Sequence, residues 1–211
     1  MSRLRRIVLV RHGETVGNSS ERFHGSADLA LSDAGRAQMR RVAAALRTEV
    51  FDLVVASPLR RSWEGARIVA GGAPIRLEHD FREIHFGRWE GLTRQEIEAA
   101  DPIAARDWQA KAPGFEYPGG ELRAAFRERV ARGLGRLHAS GAAAVLGVLH
   151  KGVIRTLAEE LLGRPLADGE PGLGELVDFS RAAGDGWTPG RRSSNPEGLE
   201  FPLDALPRAS V

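Results

Sequence analysis

The sequence contains no cysteine. That absence excludes disulfides, thiolate nucleophiles, Fe–S clusters and thiolate zinc sites together. Lysine is nearly missing too: of 30 Lys+Arg, only Lys111 and Lys151 are lysines, and the rest are arginine. Against 28 Asp+Glu the net charge is +2, too small for a nucleic-acid coat protein, so no nucleic-acid partner is expected. No apolar run approaches the ~18 residues of a membrane span. The basic start, Met1 to Arg6, leads into Ile7-Val8-Leu9-Val10, shorter than the roughly 7–15 apolar residues of a secretory leader. The expectation is a cytoplasmic protein without a membrane partner. Familiar cofactor motifs are missing as well. Lys111 follows Ala110 and Lys151 follows His150, so neither completes a phosphate-binding P-loop. No Gly-x-Ser-x-Gly elbow, His-Glu-x-x-His zinc helix or Gly-x-Gly-x-x-Gly fingerprint occurs. Neither a cofactor nor a metal is expected.

What is present suits one globular domain: 211 residues, 42% of them hydrophobic. Ile7–Val10, Asp52–Ala56, Ile75–Leu77 and Val145–Leu149 read as strands. Helices are expected from Asp33 behind a Ser32 cap, after Ser57-Pro58, after Thr93 with its capping-box Glu96, after Asp101-Pro102, over Glu121–His138 and around Val153–Leu162. Strands alternating with helices predict an α/β three-layer sandwich with a mostly parallel central sheet flanked by helices. One domain over residues 1–187 is expected. Residues 188–211, rich in Pro and Arg, read as a mostly irregular tail with a strand near Leu199–Phe201.

In open α/β sheets, ligands bind at the carboxyl ends of the strands. Arg11-His12-Gly13 follows the first strand and Ser57-Pro58-Leu59-Arg60-Arg61 the second. Phe81-Arg82-Glu83 comes after the third, and His150-Lys151-Gly152 after the fourth. Two histidines, several cations and a carboxylate would meet on one rim. Clustered cations fit a compact anion such as a phosphoryl group, and two His with a Glu supply a nucleophile and proton carriers. The pattern alone leaves structural histidines as an equal alternative. A metal hydrolase using the two His as ligands lacks a convincing carboxylate partner.

Arg11-His12-Gly13-Glu14-Thr15 with Asn18 resembles the signature of the histidine phosphatase superfamily, the phosphoglycerate mutase-like enzymes. Further blocks follow in order. They are Gly25, Asp28, Leu31, Gly35 and Gln38; Ser57-Pro58-Leu59-Arg60-Arg61; Glu83 to Gly91; and His150 to Arg155. The resemblance covers about Arg6 to Pro165 and implies a phosphoglycerate mutase-like fold. It implies His12 as the nucleophile forming a phosphohistidine, Glu83 as proton donor, and Arg11, Asn18, Arg61 and His150 around the phosphoryl oxygens. His24 and Gly25 resemble substrate-rim positions.

The implied activity is metal-independent hydrolysis of small phosphorylated metabolites. Phosphoglycerate mutase-type transfer is the alternative, and a non-catalytic phospholigand-binding module the alternative of another class. The Phe86-Gly87-x-Trp89-Glu90-Gly91 form resembles the phosphatase branch. Thr93–Pro118 offers only Arg94, Arg106 and Lys111 in place of a basic insertion. Lys151 stands where the family usually has Gly, and its reading is left between the phosphoryl group, a second acidic group on the substrate, and solvent. The oligomeric state stays open, a homodimer included.

Overall fold

The computed structural model describes residues 2–167, 169–181 and 186–193. Four strands run parallel: β1 (Arg6–Arg11), β2 (Leu53–Ala56), β3 (Ile75–Leu77) and β4 (Ala144–Leu149). Their spatial order is β3-β2-β4-β1. Beyond β1 lie β5 (Leu176–Ser180), antiparallel to β1, and β6 (Thr188–Ser193), antiparallel to β5.

The apolar run of β1 follows from burial on both faces. Ile7 and Leu9 enter one core with Phe81, Val130, Val153 and Leu157. Val8 and Val10 enter the other with Met39, Val42 and Ala66. A strand covered on both faces is apolar at every position. Helices α1 (Asp33–Ala45) and α2 (Arg60–Val69) supply the second core.

Helices α3 (Arg94–Ala100) and α4 (Pro102–Gln109) stand apart and enclose a small aromatic core around Trp89, Phe23 and Trp108. Their starts follow the local signals. Thr93 and Glu96 form the capping box, and the Asp101 side chain accepts from the N–H of Ala104. Helices α5 (Arg123–Ala139) and α6 (Lys151–Leu162) complete the first core, so the sheet lies between two helical layers.

Two expectations need correction. Ser57-Pro58 does not open α2: Leu59 is the capping position and Arg60 the first helical residue. Ser57 is held in a turn instead, its N–H donating to Ser62 Oγ at 2.9 Å and its Oγ accepting from the Leu59 N–H. Residues 188–193, read as part of an irregular tail, form β6, so the sheet continues past residue 187. Pro189 and Gly190 argue against an interior strand, but β6 is at the sheet edge, where a missing N–H is tolerated. The strand expected near Leu199–Phe201 lies outside the described residues.

The chain leaves β1 through α1 on one face and leaves β4 through α6 on the other. The crevice between the carboxyl ends of these neighbouring strands is the topological switch point of the sheet.

Candidate active site

His12 and His150 sit at that crevice because β1 and β4 pair in register up to Arg11 opposite Leu149. The N–H of His12 extends the ladder, donating to the Leu149 carbonyl at 2.9 Å. The two imidazole centroids are 5.2 Å apart. Gly13 follows His12 where the backbone of Gly35, at the start of α1, comes too close for any Cβ.

His12 is buried, and its Nδ1 lies 2.8 Å from the Gly13 carbonyl. A carbonyl only accepts, so Nδ1 carries the proton and Nε2 presents its lone pair. Arg61 Nε donates to that Nε2 at 3.2 Å. Burial first, then Arg61 and Arg11, push the His12 pKa well below the ordinary histidine value. The ring is neutral at pH 7 and able to act as a nucleophile.

Arg61 reaches this point from the first turn of α2 and is fully buried. Its remaining donors tie down the facing loop, on the carbonyls of Ala27 (2.6 Å), His24 (3.0 Å) and Gly25 (2.7 Å). Arg11 donates to the Pro171 carbonyl at 3.2 Å, while its buried Nε has no partner. His150 is fully buried and both its ring nitrogens lack partners. Burial, Arg61 and His12 hold its pKa well below the ordinary value as well. Buried polar atoms left open in this way are rare unless water or a ligand completes them.

Glu83 is buried on the same rim. It accepts from the N–H groups of Ile84 and Gly152, both at 3.0 Å. Those bonds and the charges of Arg61 and Arg11 favour the carboxylate, yet burial outweighs them and the pKa is raised. The site thus pairs a neutral imidazole with a carboxylic acid reluctant to ionise, beside two buried guanidinium groups. That combination suits attack on a phosphoryl group with protonation of the departing oxygen.

Residues 7–179 match the family description of the histidine phosphatase superfamily, branch 1. The chain belongs to the histidine phosphatase superfamily. It is 35% identical over 201 residues to a glucosyl-3-phosphoglycerate phosphatase of Mycolicibacterium vanbaalenii, covering 87% of this chain and 88% of the relative. It is 36% identical over 169 residues to the adenosylcobalamin/alpha-ribazole phosphatase of Salmonella typhimurium, covering 77% and 82%. Among solved structures, a mycobacterial glucosyl-3-phosphoglycerate phosphatase in complex with VO3 superimposes with a TM-score of 0.76 at 32% identity, covering 88% of this chain and 97% of that one. A putative alpha-ribazole-5'-P phosphatase of Escherichia coli gives a TM-score of 0.78 at 27% identity, covering 90% and 97%. The α/β fold expected from the sequence is the fold of these superfamily members.

Other residues singled out in the sequence fall less centrally in this member of the superfamily. Asn18 is exposed, in a turn with φ 57°, its carbonyl accepting from the N–H groups of Glu21 and Arg22. His24 Nε2 lies 2.6 Å from the Gly17 carbonyl, while its buried Nδ1 has no partner. Gly25 shapes the rim: its carbonyl accepts from Arg61 and its N–H donates to Glu90 at 3.1 Å. Lys151 opens α6 and is half-buried.

Three contributors escaped the sequence reading as site residues. Gly152 anchors Glu83 through its N–H. Glu90 joins two loops, accepting from Gly25, Ser26 and Phe86 N–H groups. Arg129 holds the segment leading to Glu83, donating to the carbonyls of Asp80, Arg82 and Glu83 and to both oxygens of Glu121. Nothing local distinguishes Arg129 from the other four arginines of α5. Gly152 and Glu90 lie inside blocks that carry the family resemblance, which was the available signal.

Proposed function

We propose that the chain is a phosphomonoesterase that hydrolyses small phosphorylated metabolites through a phosphohistidine on His12. The observation that carries this reading is the neutral His12 ring, its Nε2 lone pair turned toward the buried Arg61. As substrate binds, Arg61 Nε–H turns from Nε2 to a phosphoryl oxygen, and the freed Nε2 lone pair attacks phosphorus in line as the bond to the ester oxygen breaks, the departing oxygen taking the proton of Glu83. Water then attacks the phosphohistidine, giving its proton to the Glu83 carboxylate as the P–N bond breaks and phosphate leaves. Arg11, Arg61 and the single N–H of the neutral His150 ring hold the nonbridging oxygens, with Asn18 and His24 at the edge of the same rim. Two steps replace a direct attack of water on a repelling dianion.

Small metabolites are the substrates named for the relatives, glucosyl-3-phosphoglycerate and adenosylcobalamin/alpha-ribazole phosphatases. Water is favoured over a second substrate hydroxyl as acceptor. Thr93–Pro118 carries only Arg94, Arg106 and Lys111 as cations, and Arg94 and Arg106 lie in exposed ion pairs with Glu98 and Asp107 rather than in a basic cluster suited to a second phosphate. Phosphorylated metabolites are retained by membranes because of their charge, so a cytoplasmic site of action fits the same reading. Among the described residues no helix is long and apolar enough to cross a membrane.

Rapid quenching with a labelled phosphomonoester tests the proposal. Label is expected on His12, stable in alkali and lost in acid, and His12→Ala is expected to be inactive. Label on another residue, or an active His12→Ala variant, overturns it.

A further inference from the structure

Resting on the phosphomonoesterase reading, we propose that Glu90 is a positioning residue, which holds Arg61 at the phosphoryl site through two peptide groups of the rim loop without touching Arg61 itself. Arg61 Nη2 donates to the carbonyls of His24 at 3.0 Å and Gly25 at 2.7 Å. The N–H groups at the other ends of those same two peptide bonds belong to Gly25 and Ser26. They donate to Glu90, to Oε2 at 3.1 Å and to Oε1 at 3.0 Å. Each of the two paths therefore runs guanidinium, carbonyl, amide N–H, carboxylate. Both peptides are trans, so their C=O and N–H dipoles point the same way. A cation at one end and an anion at the other polarise each unit in the same sense, and each bond strengthens the next.

The arrangement answers a conflict at Arg61. Its guanidinium is fully buried, and a buried cation needs compensating charge. A carboxylate in direct contact would occupy the donors that the phosphoryl group requires. Among the described residues Arg61 bonds only to three carbonyls and His12. Of the carboxyls acting on it, Glu83 is reluctant to ionise and Glu90 is next in strength. Glu90 thus supplies negative charge from behind the loop and leaves Nε–H for His12 and then for the phosphoryl oxygen. Its own place is fixed, since Oε1 also accepts from the Phe86 N–H at 3.0 Å and the preceding Trp89 is buried in the aromatic core.

The test uses E90Q, R61K and the double variant. Three quantities are read: kcat and KM for p-nitrophenyl phosphate, and the dissociation constant of inorganic phosphate by calorimetry, with circular-dichroism melts as the folding control. E90Q removes the charge and turns an amide NH2 toward N–H groups that need acceptors. It is expected to raise KM and the phosphate dissociation constant about tenfold, the size of one charge-assisted contact. A purely structural defect lowers the folded fraction, and so kcat, while KM and phosphate affinity stay put. A lysine at position 61 cannot span the rim carbonyls and the site together, so E90Q is expected to cost less than about twofold in the R61K background. Unchanged KM and phosphate affinity in E90Q overturn the proposal, and so do losses that multiply in the double variant. If E90Q fails to fold, E90D takes its place, keeping the charge one methylene short. Weaker phosphate binding by E90D in the wild-type background alone supports the proposal; no change there, or an equal loss beside R61K, overturns it. Failure of wild type to hydrolyse p-nitrophenyl phosphate overturns the phosphatase reading itself, and phosphate affinity then still decides the role of Glu90.

Discussion

Replacing Gly152 by alanine puts a methyl group where the Glu83 carboxyl now rests. Gly152 donates its N–H to Glu83 Oε2 at 3.0 Å. A Cβ at this position overlaps Oε1 and lies 3.2 Å from the carboxyl carbon and 3.4 Å from Oε2. Ordinary contacts between such atoms begin near 3.5 Å, so the carboxyl has to retreat by about 1 Å. Glu83 is enclosed, and its retreat breaks the bond from Gly152 or moves the Glu83 backbone. A displacement of about 1 Å at a reacting group costs on the order of 10²-fold in rate. Helix propensity works the other way, since alanine is about 1 kcal/mol better than glycine inside a helix.

The assay is kcat on an alkyl phosphate and on p-nitrophenyl phosphate, alongside thermal melting by circular dichroism. Gly152→Ala is expected to melt as a folded protein and to lose about 10²-fold on the alkyl ester. The loss on the nitrophenyl ester is expected to be much smaller, because that leaving oxygen needs little protonation. A folded Gly152→Ala protein that loses both activities equally would refute the assignment of Glu83 as the acid. Full activity on the alkyl ester would refute the argument that Gly152 positions it.

Three other outcomes follow from the same geometry. The kcat/KM profile should be bell-shaped: activity falls in acid only well below the ordinary histidine range, where His12 protonates, and falls again as pH rises through the raised Glu83 pKa. Glu83→Gln should abolish the alkaline limb while hurting alkyl esters most; persistence of that limb would assign it elsewhere. Chelators should leave activity intact, because Arg11 and Arg61 supply the positive charge; loss restored by a divalent ion would contradict this. Arg129→Leu strands three carbonyls and the Glu121 carboxylate, and should lower stability by about 2–3 kcal/mol in denaturant melts; a change under 0.5 kcal/mol would show that these bonds are replaced by water.

Several features were determined by the sequence alone because their causes are local. The apolar run at Ile7–Val10 announces a strand buried on both faces. The Thr93 and Asp101 caps depend on residues only three positions away, and both form where expected. The residue types of the candidate site were equally legible, since His12, Arg61, Glu83 and His150 each stand in a short block with a recognisable neighbour pattern.

Tertiary structure decided the rest, for reasons of distance and burial. β5 and β6 exist through pairing with strands remote in the chain or across a loop, and Pro189 with Gly190 conceals the edge strand. The turn at Ser57 depends on Ser62, which in turn donates to the Val148 carbonyl of β4. Arg129 became visible only when α5 packed beside the segment leading to Glu83, because its partners are carbonyls that any sequence possesses. Most of all, no local pattern sets a protonation state. His12 and His150 are neutral, and Glu83 is reluctant to ionise, chiefly because the packed fold removes water from all three. Desolvation depends on what surrounds a group in space, and here those surroundings come from β1, β4, α2 and the loops beyond them.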